Sequence, residues 1–183
     1  ADDLILPTKI EKQLAIIVNK PDVDIVSTGV VNINSENKVL GTRSTSSFYV
    51  PTLIDVIAGR SGIVHASILA RKNWYLRNPY NEKNLQAEDY QLWAEAKIRN
   101  DLNVWFLDEP LYCYRVDQNV QLKKMLRGYS QQRKFIKNII SNRSIDKILV
   151  FKELFKLYLK SIYVYLLFSL KLDFILLRNR SQA

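Results

Sequence analysis

The stretch Glu88-Asp89-Tyr90-Gln91-Leu92-Trp93 sets the pattern from which the fold of this chain is predicted. Over residues 89–99, apolar side chains recur at three- and four-residue steps, which predicts an amphipathic helix. The run Val104-Trp105-Phe106-Leu107 follows closely and predicts a strand. A helix that leads into a strand in this way is typical of a mixed α/β domain.

Glu88 and Asp89 stand at the predicted start of that helix. The helix dipole and the free backbone N–H groups of a first turn both favour negative charge. From these residues alone, the acidic pair is a structural helix cap. Any catalytic role for the pair depends on what the rest of the chain supplies.

Strands and helices alternate along the first two thirds of the chain, which supports an α/β fold. A helix is predicted after Pro7, ending near Asn19, with an apolar face made of Ile10, Leu14, Ile17 and Val18. His65 lies in an apolar run at 63–70 that predicts a buried strand, where a single histidine is typically a hydrogen-bonded core residue. Further strands are predicted at 24–33, 38–40 and 111–116, and short helices at 52–58 and, less regularly, at 73–80.

The composition narrows the chemistry that the chain can perform. Cys113 is the single cysteine and His65 the single histidine, so the chain can form neither an internal disulfide nor a zinc site of His and Cys ligands. Any metal would have to be held by carboxylates and water. That ligand set points to magnesium or manganese.

The net charge of +9 is concentrated in the C-terminal third of the chain. Residues 121–183 hold 14 Lys or Arg against 3 Asp or Glu, whereas residues 1–120 hold 13 against 15. Helices are predicted at 121–140 and 145–170, the second capped by Ser144, and the uncharged run 161–170 is too short to span a bilayer. Residues 145–177 are either a helical hairpin that closes a core formed with sequence outside this chain or a surface for an anionic membrane. No nucleic-acid recognition module is visible.

Four segments, in this order, resemble the second half of a family 2 glycosyltransferase with the GT-A fold. They are Ala1-Asp2-Asp3-Leu4-Ile5-Leu6-Pro7, the helix and strand between Ile10 and Val26, Glu88-Asp89-Tyr90-Gln91-Leu92-Trp93, and Glu109-Pro110-Leu111-Tyr112-Cys113-Tyr114-Arg115-Val116. The resemblance implies a partial GT-A domain over residues 1–119, a Rossmann-like mixed sheet flanked by helices. Residues 120–183 would form a basic, amphipathic helical tail.

On the donor side, the resemblance assigns roles to four residues. Asp2 closes the family's Asp-x-Asp segment and would bind Mg²⁺ or Mn²⁺ on the donor diphosphate, with Asp3 beside it. Arg115 ends the closing Tyr-Arg strand and would also contact the donor. Two residues further on, Asp117 stands where many relatives carry a histidine, and its carboxylate would complete the cation site.

On the acceptor side, the resemblance makes Asp89 the general base and Glu88 the residue that orients it or contacts the acceptor. The implied reaction moves a sugar, with inversion, from a nucleotide-sugar to an acceptor hydroxyl. A UDP-sugar is the preferred donor, and a glycan or lipid-linked molecule the acceptor, in bacterial cell-surface polysaccharide or glycolipid synthesis. Because such acceptors are often lipid-linked, an anionic membrane is the preferred partner of the tail, and nucleic acid is not expected.

The sequence also departs from the family pattern. The first Asp of the metal segment and the whole nucleotide-binding half would precede Ala1, so we expect the chain to start partway through a larger protein and to be inactive alone. The expected location is cytoplasmic, with peripheral attachment to the inner face of the membrane. The alternative function is a non-catalytic α/β domain that binds a membrane or a partner and uses its acidic pairs as helix caps.

Overall fold

The computed structural model describes residues 3–82, 84, 87–116, 121–140 and 146–176. These residues form a mixed α/β fold: a five-stranded sheet flanked by helices, followed by a helical C-terminal region, as the sequence predicts. The strands are β1 (Leu4–Ile5), β2 (Ile25–Ile33), β3 (Val39–Arg43), β4 (Leu69–Ala70) and β5 (Val104–Arg115). The helices are α1 (Lys9–Asn19), α2 (Leu53–Ile57), α3 (Lys72–Arg77), α4 (Glu88–Ile98), α5 (Leu122–Ile139) and α6 (Lys147–Ser169).

Strand β2 is the centre of the sheet. It runs parallel to β5 on one side and antiparallel to β3 and β4 on the other, while β1 pairs antiparallel with the far side of β5. Eight of its nine residues are buried, and its β-branched side chains fill both faces. A strand buried on both faces is typical of the partial Rossmann-like arrangement seen here.

Strand β5 is longer than the sequence predicts. The sequence predicts two strands separated by a turn at Glu109-Pro110, but β5 is one continuous strand. The register with β2 shifts where Gly29 pairs with Pro110, so the proline lies at a bulge rather than in a turn. A side chain at Gly29 would not fit between the neighbouring strands, because a Cβ there would approach the backbone oxygen of Glu109 beside the bulge to 3.1 Å and that of Arg43 in β3 to 2.9 Å.

The prediction of a strand at 63–70 is also wrong for most of its length. Residues His65–Ser67 form one turn of 3-10 helix, and only β4 follows in strand conformation. The Ser67 hydroxyl donates to the carbonyl oxygens of Thr28 and Val64 and accepts from the Thr28 N–H, so its side chain replaces strand pairing. His65 is consequently exposed, which corrects its prediction as a core residue.

Helix α1 forms where predicted but turns a different face to the sheet. Its buried residues are Lys9, Gln13 and Ile17. Gln13 donates to the carbonyl oxygens of Val26 at 2.8 Å and Ser67 at 2.9 Å, and it accepts from the Lys9 ammonium at 2.8 Å. Burial lowers the pKa of Lys9. Of the predicted apolar face, Ile17 is buried as predicted, but the other three residues are exposed, by 46% at Ile10, 51% at Leu14 and 69% at Val18.

Helices α2, α4 and α5 are confirmed to within one residue of their predicted ends. Helix α3 starts one residue early and ends at Arg77, three residues before its predicted end, and α6 ends one residue before its predicted end. Thr52 caps α2 with a reciprocal capping box to Asp55. The predicted cap Ser144 lies outside the described residues. Asp146 caps α6 by accepting hydrogen bonds from the backbone N–H groups of Ile148 and Leu149.

The C-terminal helices pack onto the rest of the molecule through one apolar cluster. Val150, Leu154 and Leu157 of α6 meet Ile136 of α5 and Ile57 of α2. The hairpin is thus formed by α5 and α6 on this chain's own core, and not within 145–177 as the sequence predicts. Within the described ranges, no helix is both long and apolar enough to cross a membrane.

Candidate functional site

The acidic pair occupies the first turn of α4, as predicted. Ala87 is the N-cap residue and supplies no side-chain cap, so Glu88 and Asp89 are the first groups to meet the free N–H groups. Asp89 Oδ1 accepts a hydrogen bond from the Tyr90 N–H at 2.7 Å. Asp89 is half-buried and Glu88 is exposed. One Asp89 oxygen thus has the capping role that the sequence suggests.

Asp89 also lines a pocket of about 190 Å³ between α2, α4 and α5. Apolar side chains and Gly59 form part of its wall, while Ser61, Gln132 and Asp89 supply polar groups. Tyr90 fixes the wall because its hydroxyl donates to the Ile57 carbonyl oxygen at 2.8 Å. Burial raises the pKa of Tyr90, so this hydroxyl stays a donor. The full lining is Val56, Gly59, Ser61, Ile63, Asp89, Tyr90, Trp93 and Gln132.

A chain of hydrogen-bonded side chains lies beside the acidic pair. His65 Nε2 is 2.7 Å from the Tyr80 hydroxyl, which is 3.4 Å from the Tyr75 hydroxyl. The pKa of Tyr80 is raised chiefly by burial and next by the hydrogen bond with Tyr75, with smaller contributions from the charges of Asp89 and Glu88. The Tyr80 phenol is therefore within electrostatic reach of both carboxylates.

Sequence reasoning missed Tyr75 and Tyr80 as neighbours of the site. Residues 73–80 show no clear periodicity, although the run is rich in aromatic residues. Aromatic stacking fixes the position of this segment. Trp74 stacks on the buried Trp93 with ring centroids 5.6 Å apart, and Tyr75 stacks on Tyr80 with ring centroids 5.8 Å apart. Only the density of aromatic residues in the sequence could have drawn attention to this segment.

Asp3 is held against the end of β5. Its Oδ2 accepts from the Tyr112 hydroxyl at 2.8 Å and its Oδ1 from the Arg115 N–H at 2.8 Å. The Arg115 guanidinium binds the turn between β2 and β3, where it donates to the Asn34 carbonyl oxygen and, at 2.7 Å, to Asn37 Oδ1. The structure therefore brings Asp3 and Arg115 together, with a backbone contact rather than an ion pair between them.

The predicted metal ligands Asp2 and Asp117 lie outside the described residues. Both are sequence neighbours of the pair Asp3 and Arg115 that the structure joins. Within the part of the chain that the structure describes, no group of three or more His, Cys, Asp or Glu side chains is arranged to hold a metal ion. Asp3 and Asp89 belong to separate hydrogen-bond networks, one at the end of β5 and one at the start of α4.

Arg71 has a structural role that the sequence did not reveal. The sequence suggests a surface or phosphate-facing arginine after the run at 63–70. Its guanidinium instead donates to the carbonyl oxygens of Val23 and Ile17, at 2.9 and 2.6 Å. These bonds satisfy backbone acceptors at and just beyond the C-terminal end of α1. The Arg71 guanidinium is therefore bound within the fold by these carbonyl groups.

Comparison with known proteins gives one informative similarity. No protein-family model matches the chain. Over 116 residues, however, the chain is 26% identical to a protein of Methanocaldococcus jannaschii named as an uncharacterized glycosyltransferase. The alignment covers 63% of this chain and 40% of that protein, so the chain spans less than half of its relative's length. The similarity supports a glycosyltransferase-like relationship.

Proposed function

We propose that this chain belongs to an inverting, family 2-like glycosyltransferase of the GT-A fold, with Asp89 as general base. The observation that carries the proposal is the position of Asp89, half-buried at the rim of the pocket between α2, α4 and α5. The glycosyltransferase-like relationship supports the same conclusion.

The reaction requires a base at that position. As the acceptor hydroxyl attacks the anomeric carbon of the donor sugar, its proton passes to an Asp89 carboxylate oxygen. Because Oδ1 accepts from the Tyr90 N–H, one oxygen is fixed in place and the other is available for the proton. Glu88, next to it, would contact the acceptor or orient Asp89. A single displacement of this kind inverts the anomeric centre.

The donor in this proposal is a nucleotide-sugar, with a UDP-sugar as the first choice. Asp2, Asp3 and Asp117 are carboxylates, and such hard oxygen donors suit Mg²⁺ or Mn²⁺. When bound, the cation offsets the negative charge that develops on the leaving diphosphate. Arg115 would stand beside the same diphosphate once its guanidinium leaves the turn between β2 and β3. The acceptor is a glycan or a lipid-linked molecule.

An Asp89→Asn variant of the native, full-length protein tests the proposal. The amide oxygen can still accept from the Tyr90 N–H, so the cap is kept while the base is lost. We expect kcat for sugar transfer from a UDP-sugar, with Mg²⁺ or Mn²⁺ present, to fall by about 100-fold or more. Glu95→Gln, on the same helix, is the control and should retain activity. Full activity of Asp89→Asn would exclude this base.

A second candidate function is a non-catalytic binding domain whose acidic groups are structural. The contacts of Asp3 favour it, because both carboxylate oxygens are already hydrogen-bonded within the fold. On this interpretation, Asp3→Asn lowers the stability of the chain and leaves no transfer activity to lose. The same assay distinguishes the two functions, since a non-catalytic domain shows no turnover with any nucleotide-sugar.

A further inference from the structure

Helix α6 carries an apolar stripe on the side that faces away from the molecule. The stripe comprises Ile148, Phe151, Phe155, Leu159, Ile162 and Leu166, with exposed fractions between 49% and 70%. Steps of three and four residues separate its members, so they lie along one line of the helix. It extends for about 27 Å at 1.5 Å per residue.

Packing inside the molecule does not account for this stripe. The buried residues of α6, among them Val150, Leu154 and Leu157, face α2 and α5. Phe151 and Phe155 lie on the other side, where they line an open depression with Ile148 and two lysines. Exposed apolar surface of this extent marks an interaction site.

The charges beside the stripe are all positive. Lys152, Lys156 and Lys160 follow one edge of it at four-residue spacing and are exposed. The only acid of the helix, Glu153, is 7% exposed, and it pairs with Lys156 at 2.8 Å and with Arg60 at 3.6 Å. The outer side of α6 therefore combines apolar side chains with positive charge, and of these three lysines Lys156 is the one paired with an acid in the described part of the chain.

The opposite edge of the stripe carries tyrosines. Tyr158 and Tyr165 are exposed by 43% and 56%. Tyr158 also lies under two cations of α5, with the Arg133 guanidinium 4.7 Å and the Lys137 ammonium 5.9 Å from its ring. Aromatic side chains with a polar tip favour the boundary between hydrocarbon and water.

We propose that α6 lies in the surface of an anionic lipid bilayer, with its stripe among the acyl chains and its lysines at the headgroups. A bilayer of this kind supplies hydrocarbon that accommodates the apolar stripe and negative charge that complements the lysines. A second copy of the chain fits less well. A pairing of two stripes would bring the lysines of both copies together, and α6 has no exposed acid to compensate them. The inference goes beyond sugar transfer and holds whether or not the chain is an enzyme.

Vesicle co-sedimentation of the 183-residue chain tests the proposal. We expect binding to vesicles that contain phosphatidylglycerol and little binding to vesicles of phosphatidylcholine alone. Phe155→Glu should lower the partition coefficient about ten-fold or more, because it places a charge among the acyl chains. Phe48→Glu makes the same change outside α6, at a side chain that is 91% exposed. It should leave the partition coefficient unchanged.

A second pair of double variants tests whether the lysines of α6 contribute to vesicle binding. Lys152→Gln combined with Lys160→Gln should weaken binding about ten-fold or more, at roughly five-fold per lysine. Lys38→Gln combined with Lys72→Gln removes the same charge from the body and should change binding little. Circular dichroism checks that each variant is folded.

Three outcomes would overturn the proposal. The first is absence of binding to either vesicle, and the second is equal loss of binding in Phe155→Glu and Phe48→Glu. The third is a dimer, detected by light scattering, that Phe155→Glu dissociates, since the stripe would then bind a second copy. Equal binding to neutral and anionic vesicles would overturn the requirement for anionic lipid.

Discussion

Arg77 joins two acids near the beginnings of β2 and β5. Its guanidinium donates to Asp101 at 2.8 Å and to Asp24 at 2.7 Å. Asp24 is only 7% exposed, so the arginine supplies a charge that this carboxylate needs. Asn78 adds a further hydrogen bond to Asp101 at 2.7 Å. These polar residues thus tie together the segments that lead into the two parallel strands.

This cluster predicts a specific pH dependence of stability. The hydrogen bond from Arg77 is the main cause that lowers the pKa of Asp101 in the folded chain. A lowered folded-state pKa means that the stabilisation is complete above the unfolded pKa, about 4, and is lost as the pH falls through the folded-state value. We expect Asp101→Asn to lower the free energy of unfolding by about 1 kcal/mol at pH 7, since Arg77 is partly exposed.

The difference between Asp101→Asn and the unmutated chain should shrink below about pH 4. Urea denaturation at pH 7 and at pH 3 measures it. Asp108→Asn, at an exposed position, should show a small difference at both pH values. A stability difference for Asp101→Asn that does not change with pH would contradict the lowered pKa of Asp101 in the folded chain.

At the scale of single residues, the sequence predicted burial in α4 but did not predict the polar contacts elsewhere in the fold. Trp93 and Leu92 are buried as the helical spacing requires, at 3% and 2% exposed. Gln13 and Arg71 could not be recognised as structural residues, because their partners are backbone carbonyl groups distant in sequence. The placement of Glu88 and Asp89 in one helical turn was predictable because it needs only local structure.

Helix α1 shows where element-level prediction fails. Apolar spacing correctly located the helix but selected the wrong face, because Gln13 makes two hydrogen bonds that outweigh apolar burial at its position. The bulge at Gly29 and Pro110 was hidden for a similar reason, since register depends on the partner strand. By contrast, the long helices α5 and α6 were predictable because they carry their own periodicity. Helix α4 forms where predicted but is not amphipathic, since Tyr90, Leu92 and Ala94 are buried on different sides of it.

Gln13 should therefore be essential for the attachment of α1 to the sheet. Gln13→Leu would leave the Val26 and Ser67 carbonyl oxygens buried without that donor, and we expect the free energy of unfolding to fall by about 2 kcal/mol or more. Chemical denaturation measures the change. Leu14→Gln, at the next position and 51% exposed, should change stability by less than about 0.5 kcal/mol. The reverse order of effects would mean that the face predicted from the sequence is the buried one.

Across the whole molecule, two kinds of surface are separated. Residues 1–120 carry nearly balanced charge and most of the lining of the pocket with Asp89, whereas residues 121–183 carry the excess of positive over negative charge. One side of α6 nevertheless completes the apolar cluster with α2 and α5. The same helix is thus part of the core and the most apolar exposed element among the described residues.

Because α6 is part of the core, we expect it to unfold together with the rest of the chain. Leu154→Ala removes a buried side chain from the cluster and should lower the free energy of unfolding by about 2–5 kcal/mol in a single transition. Leu159→Ala deletes the same atoms from a position that is 49% exposed and should have little effect. Thermal unfolding followed by circular dichroism and by tryptophan fluorescence provides the test. Two separate transitions would show that the C-terminal helices unfold independently of the sheet.

The order of the strands has a consequence for how the chain folds during synthesis. Ile25 pairs with Val104, and Leu4 pairs with Cys113, so each pairing awaits a strand made much later. Until β5 leaves the ribosome, β2 has only its shorter antiparallel neighbours, and its other edge is open to misassociation. The local helices can form early, but loop closure delays the parallel pair. Emergence of β5 is therefore the moment at which the nascent chain first protects its central strand.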